Sequence, residues 1–459
     1  MIKETPFPIK SFLVAAVATA AIVFAIVKPK GGQNPAASGV GLKIPNNSIK
    51  AEKFLEAPGE NFSITLPDGE SVEMRVTEAS SPEPNVRLSV MAIEDDPEGE
   101  MVVCNYNGIL GGTIRRGNGE AWEIQYLGNG KYTLAEPKTG IENPGAGCSS
   151  KKHYVKVNGN RQEVAYLSSS QPLPPRVQRG MRRSIRLNQT LLTKEPSENE
   201  IPVGQPEYTS LSSDDNPLEL KYRPIAPTYR RKLDLLVLYT PGAIEKKYMG
   251  EERLLRAHIY AAVEEVKRAF SNSRVLADLN LVGVKKIDVK GEQTVRADLG
   301  VITNAESEPG RLARELQIKH KADLICYIGD ASPGADGVAG IACMGPGQVH
   351  SVSAYANARV IAHEIGHNLG MTHDIIPDKP NGAFGFGVGH VFEAVHKGQT
   401  HRFHTIMSYG NNSRSILRFS NPFVRYQGAR TGWLYHADCA AAINHTCQAN
   451  SKRSDSLPK

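Results

Sequence analysis

Three histidines and a glutamate lie close together in this chain, with the residue types and spacing of a metal-assisted hydrolase. The run from His363 to His373 reads His-Glu-x-x-His-x-x-Gly-x-x-His. At about 100° per residue, His363 and His367 lie one helical turn apart and point from one face toward a shared metal. Glu364 points to the side of that face, where its carboxylate can reach a water on the metal as a general base.

The end of this helix must then supply a third ligand. Gly370 can adopt the left-handed conformation that ends a helix, and the chain then turns back and brings His373 to the metal. Three protein ligands leave the fourth position of zinc to water, which is the catalytic form of a zinc site. The spacing therefore predicts Zn²⁺ held by His363, His367 and His373. The alternative is a core in which three histidines are hydrogen-bonded without a metal.

A second motif follows the first along the chain. Residues 404–410 read His-Thr-Ile-Met-Ser-Tyr-Gly. Together with the extended histidine motif, this segment resembles the Met-turn of the metzincin clan of zinc proteases. Segments 233–241 and 419–422 are similar to bacterial-type, reprolysin-like (adamalysin) members of the M12 group. The resemblance runs from Leu233 to Cys447, roughly half of the chain.

The resemblance implies roles for several residues near the metal. Met407 is an apolar floor beneath the zinc, since a thioether is poorly matched to a three-histidine site. Asp374 supports the local fold and does not bind metal. Tyr409 departs from the animal adamalysins and is similar to the tyrosine of astacins and serralysins; a stabiliser of the oxyanion and a packed structural tyrosine are the two alternatives. His401 and His404 are interpreted as surface or hydrogen-bonding residues.

The catalytic segment, residues 232–450, alternates apolar strand-like runs with a helical pattern. Runs 233–239, 279–284 and 324–328 read as strands, and residues 254–270 read as a long helix with one apolar face. This alternation predicts an α/β fold, and the resemblance makes it a metzincin-like zincin domain with a twisted mixed sheet and an active-site helix. Residues 337–345 match that family's edge strand, where an extended peptide can add above the zinc.

Residues 31–170 read as a mostly β domain without a catalytic constellation. Asn-Gly pairs favour tight hairpin turns because both residues tolerate positive φ. Such pairs begin at Asn107, Asn118, Asn129 and Asn158. The resemblance implies a propeptide that covers the cleft as an intramolecular inhibitor until it is cleaved. The alternative is an accessory β domain that never leaves.

The two ends and the middle of the chain indicate export and processing. Residues 1–30 contain an uncharged apolar run, 11–27, which is long for a signal-peptide core and short for a membrane span. The protein is therefore expected outside the cytoplasm, extracellular or periplasmic, with cleavage and membrane anchoring through residues 11–27 both open. Residues 171–231 read as a linker with basic clusters at 182–183 and 230–232 as processing sites, and residues 451–459 as a polar tail.

The number of cysteines and the net charge limit which other functions the chain could have. An even number of cysteines in an exported chain suggests disulfides, and sequence proximity gives the simplest pairing scheme. Alternatively, a thiolate of the β domain holds the zinc as a cysteine switch, through Cys104 or Cys148. The net charge of +6 over 459 residues is small and spread along the chain, which argues against a nucleic-acid partner. The predicted pairs are Cys104 with Cys148, Cys326 with Cys343, and Cys439 with Cys447.

These patterns predict a secreted or membrane-anchored zinc metalloendopeptidase, made as a zymogen, whose substrates are proteins or peptides. Zinc would acidify a water and Glu364 would take its proton. Two other functions stay open. One is a catalytically weak zinc-binding interaction or adhesion protein, and the other is a membrane-tethered protease that processes a single target. Residues 411–426, after the Met-turn, are expected to build the specificity pocket.

Overall fold

The computed structural model describes residues 58–137, 230–331, 339–373, 383–410, 412–434 and 436–453, together with strands at 153–157, 160–164, 205–207 and 223–225. The described chain has an N-terminal β domain, residues 58–137, and a catalytic half from residue 230 onward. No helix among these residues is long and apolar enough to cross a membrane. The apolar run 11–27 lies outside them, so the signal peptide or anchor stays a prediction.

The β domain is one antiparallel sheet whose seven strands pair in sequence order. At the β4–β5 and β6–β7 turns, Asn107 (φ 50°) and Asn129 (φ 53°) and their glycines have positive φ, as the Asn-Gly pattern predicts. The turn predicted at Asn158 lies outside the described residues. The strands are β1 (Asn61–Thr65), β2 (Ser71–Ser80), β3 (Val86–Ile93), β4 (Asp96–Tyr106), β5 (Ile109–Arg115), β6 (Ala121–Gly128) and β7 (Lys131–Ala135).

Both faces of this sheet are buried along its central strands. On β4, Met101 and Val103 belong to the β domain's own core, while Val102 and Cys104 belong to a core that continues into the catalytic half. Successive side chains of a strand point to opposite faces, so a run that is apolar at every position fits a strand covered on both sides. The β domain is therefore packed against the catalytic half.

Short strand pairs separate the two parts along the sequence, and a mixed five-stranded sheet then forms the centre of the catalytic half. Its order is β13-β12-β14-β16-β15, with all neighbours parallel except β15, which pairs antiparallel with β16 at the edge. This confirms the mixed sheet and the edge strand within residues 337–345. The strands are β8 (His153–Val157), β9 (Asn160–Val164), β10 (Gln205–Glu207), β11 (Arg223–Ile225), β12 (Arg231–Tyr239), β13 (Ala277–Lys286), β14 (Leu324–Ile328), β15 (Gly340–Ala342) and β16 (His350–Ser353).

Helices cover both faces of this sheet, as an α/β layer architecture requires. Side chains of α1, α2, α5 and α6 pack in the core on one face, and those of α3 and α4 pack on the other. Among the described residues, these helices are α1 (Pro241–Lys247), α2 (Glu252–Asn272), α3 (Val295–Thr303), α4 (Glu308–His320), α5 (Ala358–Asn368) and α6 (Cys439–Ser451). Short strands follow α5: β17 (Val391–His396), β18 (Gln399–His404), β19 (Arg414–Ser415), β20 (Arg425–Tyr426) and β21 (Ala429–Arg430).

The two disulfides predicted within the catalytic half are wrong. Cys439 and Cys447 lie in the single helix α6, eight residues apart. A rise of about 1.5 Å per residue separates their Cα atoms by about 12 Å, beyond the ~7 Å that a disulfide can span. Cys326 and Cys343 lie in cores on opposite faces of the sheet. All four cysteines are buried, and none of them forms a disulfide.

Cys104 is also a free, buried thiol, and its predicted partner Cys148 lies outside the described residues. Burial away from water raises the pKa of Cys104 well above its usual range, which disfavours the thiolate form that binds metal. The Cys104 side chain packs in the core shared with α2. Cys104 therefore does not act as a cysteine switch in this structure.

Candidate metal centre and active site

Helix α5 carries the first part of the histidine motif and has a defined beginning and end. Asn357 caps its N-terminus, where the side-chain Oδ1 accepts hydrogen bonds from the backbone N–H groups of Arg359 (3.0 Å) and Val360 (3.2 Å). Gly370 follows the helix with φ 92°, and the N–H of Met371 donates to the carbonyl of Gly366 (2.9 Å). This is a Schellman end, and it confirms the predicted left-handed conformation at Gly370.

The three histidines of the motif converge on one point. His373 Nε2 lies 3.0 Å from His363 Nε2 and 3.1 Å from His367 Nε2. Among the described residues, these three form the one group of at least three metal-ligating side chains with ligand atoms close together, and all three are buried. The structure thus brings together the three side chains that the sequence spacing selected.

The far nitrogens of two rings fix their orientation. His363 Nδ1 lies 2.8 Å from the carbonyl of Ile406, and His367 Nδ1 lies 2.9 Å from the carbonyl of Met371. A carbonyl only accepts, so each Nδ1 carries the proton and each Nε2 keeps its lone pair for a metal. Hydrogen bonds of this kind are typical of histidines that ligate zinc.

The donor set fits a zinc ion. Zinc–nitrogen bonds of about 2.0–2.1 Å in a tetrahedron place ligand nitrogens about 3.3 Å apart, close to the spacing between these rings. Burial lowers the pKa of His363 and His373 well below the usual range and that of His367 to about 4, which favours the neutral, ligating form. Without a cation, three lone pairs would face one another in a buried space.

Glu364 lies beside this centre with an unsatisfied carboxylate. Its side chain is buried, and among the described residues Oε2 has no hydrogen-bond partner. Burial raises the pKa of this carboxyl well above its usual range. Gly340 of edge strand β15 makes room for it, since a Cβ there would lie 2.5 Å from Glu364 Oε1. A buried carboxyl with a perturbed pKa against a sheet edge is a candidate for a functional group.

Tyr409 reaches the same point from the Met-turn. Its hydroxyl lies 2.9 Å from His373 Nε2, and its ring centroid lies 4.5 Å from that of His373. The hydroxyl therefore borders the space that a metal and its ligands would share. The structure thus places a polar group of the Met-turn where the three histidines converge.

Met407 lies beneath the helix rather than in the centre. It is fully buried, and a Cβ added at Gly366 would lie 2.5 Å from its sulfur. Gly366 thus lets the methionine approach the helix between the two turns that carry His363 and His367. This position agrees with an apolar floor.

His404 and Arg359 join the Met-turn to the zinc helix. Arg359 Nη2 lies 2.9 Å from His404 Nε2 and donates to the carbonyl of Ser408 (3.2 Å), while His404 Nδ1 lies 2.8 Å from Ser413 Oγ. Burial and the nearby guanidinium lower the pKa of His404 to about 3, so the ring is neutral. The interpretation of His404 as a hydrogen-bonding residue is confirmed. His401 is half-buried on β18, and Asp374 lies outside the described residues.

Several residues of this site escaped the sequence analysis, and some had a visible signal. Asn357 precedes an apolar helical run, which is a typical N-cap pattern. Arg359 lies four residues before His363 and so on the same helical face. Gly366 inside a helix and Gly340 in a strand each suggest close packing, but the spacing does not name the partner. Those partners come from segments distant in sequence.

Comparison with known proteins supports the motif-based resemblance. Residues 229–433 match the model of the Reprolysin_4 family, described as "Metallo-peptidase family M12B Reprolysin-like". No curated protein matches the chain. A chain of a solved structure described as "Structure of a chaperone-substrate complex" is 20% identical with a TM-score of 0.38; the match covers 50% of this chain and 36% of that chain. A likeness of that size says nothing about the fold or the activity.

The family match spans the two motifs, the five-stranded sheet and the converging histidines. Residues 229–433 of this chain therefore belong to the reprolysin-like metzincins, metallopeptidase family M12B.

Proposed function

We propose that this protein is a zinc-dependent endopeptidase that cleaves proteins or peptides. The observation that carries the proposal is the convergence of three buried imidazole nitrogens beside Glu364, whose Oε2 has no hydrogen-bond partner among the described residues. Metallopeptidases of family M12 are the class to which such a centre belongs. His363, His367 and His373 would hold the Zn²⁺, and when bound it would supply a Lewis acid that acidifies a water and polarises a carbonyl.

The side chains around the centre would divide the remaining work. Glu364 would take a proton from the attacking water and pass it to the leaving amine. Tyr409 would donate its hydroxyl hydrogen to the carbonyl oxygen as negative charge develops there. No bond between enzyme and substrate forms in this scheme.

The sheet edge would hold the substrate in an extended form. Strand β15 pairs on one side with β16, and its other side is the edge of the sheet next to Glu364. A peptide that pairs with this edge as an added strand would run past the carboxylate, with its main-chain groups held by the sheet. Because an added strand can continue in both directions, the geometry supports cleavage within a chain.

The test combines metal content with hydrolysis. The full chain, loaded with zinc, should bind about one ion per molecule, a count expected from one three-ligand site. It should cleave casein in a chelator-sensitive manner, measured before and after limited proteolysis of the segment between residues 171 and 230. Glu364→Gln should keep the zinc and lose about 10²–10⁴-fold in turnover, the usual contribution of a general base.

Two further variants make this result specific. His363→Ala should lose both zinc and activity, whereas His320→Ala, a histidine on the other face of the sheet, should keep both. A Glu364→Gln enzyme with normal turnover would exclude the proposed base. A correctly folded chain that binds no zinc would exclude the whole proposal.

The alternatives are distinguished by the same material. A zinc-binding interaction or adhesion protein would bind the ion and cleave none of a broad panel of unfolded proteins; the presence of Glu364 beside the centre favours the enzyme. A single-target processing protease would cleave one protein of such a panel. Export, anchoring through residues 11–27 and the bacterial type of the enzyme remain proposals. Because Cys104 and the four cysteines of the catalytic half form no disulfide, the proposal of export rests on the apolar run alone.

A further inference from the structure

Helix α2 is buried on both sides. One side faces the five-stranded sheet, and the opposite side is covered by strands β3–β5 of the β domain. Gly111 of β5 lies directly on the helix, since a Cβ at this position would lie 2.8 Å from the backbone nitrogen of His258 and 3.0 Å from the Cβ of Ala257. A contact this close requires glycine in the sheet and a small residue on the helix.

An apolar core continues across this contact without a break. Side chains of β3–β5 share one core with α2 and the rest of that layer, and each is at most 5% exposed. A transient interface is more polar and less completely buried than this one. The β-domain members of the core are Val86, Leu88, Val90, Val102, Cys104 and Ile109.

Charged side chains pair across the same contact. Arg115 donates to Glu265 at 2.7 Å, and the Glu265 side chain is only 2% exposed. Arg268 of α2 donates from Nε to Glu100 at 2.7 Å. A buried carboxylate needs a partner, and the partner of Glu265 comes from the β domain. These pairs fix the sheet in one position on the helix.

The β domain also holds the segment that follows the Met-turn. The carbonyl of Gly117 accepts a hydrogen bond from Tyr426 Oη at 3.0 Å, and the carbonyl of Asn118 accepts one from Arg414 at 3.0 Å. Glu98 forms an ion pair with Arg418. These partners lie within or beside residues 411–426, where the specificity pocket is expected. The β domain thus contacts both the helix layer and the pocket-forming segment.

The metal centre is not part of this contact. Among the described residues, the three zinc-facing histidines form hydrogen bonds to one another, to the carbonyls of Ile406 and Met371 and to Tyr409, all of which belong to the catalytic half. The contacts group the β domain and the catalytic half into one compact unit.

We propose that the β domain is a permanent part of the mature protease, held without a covalent link once the intervening segment is cut. Residues 58–137 and 231–453 then form a two-chain enzyme. The bound β domain keeps the segment after the Met-turn in place for substrate. The second statement rests on the proposed endopeptidase function, whereas the first is a matter of binding alone.

The binding test uses the full chain with a specific protease site inserted between residues 171 and 229. After cutting, the two fragments should coelute in size-exclusion chromatography at nanomolar concentration. Arg115→Glu should weaken their association by at least about tenfold, or about 1.4 kcal/mol, and the charge swap Arg115→Glu with Glu265→Arg should restore part of it. Gly111→Leu should release the β domain, whereas Gly300→Leu, at an exposed helical glycine with no neighbour within 4 Å, should not.

The activity test follows the same samples. Cut wild-type protein should retain its hydrolysis of casein, and Gly111→Leu should lose activity in step with β-domain release while its zinc content stays unchanged. Wild-type fragments that separate at nanomolar concentration would overturn the proposal even if no variant folds. A released catalytic fragment that is as active as the complex, or more active, would identify a removable inhibitor instead. Coelution without any hydrolysis would refute the proposed function and leave the association intact.

Discussion

The contact between Gly366 and Met407 offers a quantitative test of how the Met-turn supports the zinc helix. A methyl group added at Gly366 would lie 2.5 Å from the Met407 sulfur and 3.3 Å from the Phe419 ring. In a helix, alanine is favoured over glycine by about 1 kcal/mol. Overfilling a packed core costs about 1–3 kcal/mol. Gly366→Ala should therefore reduce the unfolding free energy by about 0–2 kcal/mol.

Truncation of Met407 should change the effect of Gly366→Ala on the unfolding free energy. Met407→Ala alone removes a fully buried side chain, which costs about 2–5 kcal/mol. In the double variant the added methyl finds space, so only its helix-favouring effect of about 1 kcal/mol remains. The double variant should then lose about 1–3 kcal/mol less unfolding free energy than the sum of the two single variants, because the truncation relieves the overpacking.

The assay is urea unfolding of the four proteins, followed by circular dichroism at one fixed zinc concentration. Fixed zinc matters because a bound ion adds to the apparent stability. A double-variant loss within about 0.5 kcal/mol of the sum of the two single losses would refute the reasoning, because substitutions at independent sites are additive. The sulfur would then not lie against the helix at Gly366.

Four further results are expected. Tyr409→Phe should lower kcat by about 10²–10³-fold with unchanged zinc content, because one donor to the oxyanion is lost; an unchanged kcat would leave Tyr409 a packing residue. Arg359→Met should lower the unfolding free energy by about 1–3 kcal/mol, measured by urea unfolding, because the Ser408 carbonyl and His404 lose their buried partner; Arg359→Lys should recover part of the loss. Burial raises the pKa of Asp298 from 3.8 to about 7, so the stability that its neutral form contributes is present below pH 3.8 and is lost as pH rises to about 7. Asp298→Asn should therefore stabilise the protein more at pH 8 than at pH 5, and an equal effect at both would contradict the shift. Thiol titration in denaturant without reductant should detect at least five thiols, and reductant should leave Tm unchanged; a count of zero would restore the scheme of three disulfides.

Local patterns predicted the convergence of the three histidines well because these residues belong to one short segment. Helical spacing brings His363 and His367 together, and the glycine at 370 leads to His373, so eleven consecutive residues contain the whole ligand set. The strand predicted at residues 324–328 has those bounds in the structure, since a continuous apolar run fits a doubly covered strand.

Contacts between segments that are distant in sequence could not be predicted from local patterns. The apolar face of helix α2 could be recognised from its periodicity, but Ala257, Ala261 and Glu265 have the types of a solvated face and are buried under the β domain. The disulfide scheme failed for a related reason, because sequence proximity ignored the helix that separates Cys439 from Cys447. Which surface covers a helix depends on residues more than a hundred positions away.

The hydrogen bonds to the far nitrogens of the zinc-facing rings make the stability of the fold depend on free metal in the medium. His363 and His367 are oriented by carbonyls from two different stretches of chain, at Ile406 and Met371, so the rings have their binding pose only when those stretches are folded together. An ion that binds this arrangement and not the unfolded chain adds about 4.1 kcal/mol at a thousand times its dissociation constant. If the bound ion is zinc, the melting temperature should rise with the free zinc concentration of the medium. A zinc-depleted medium would then lower thermal stability and abolish catalysis together.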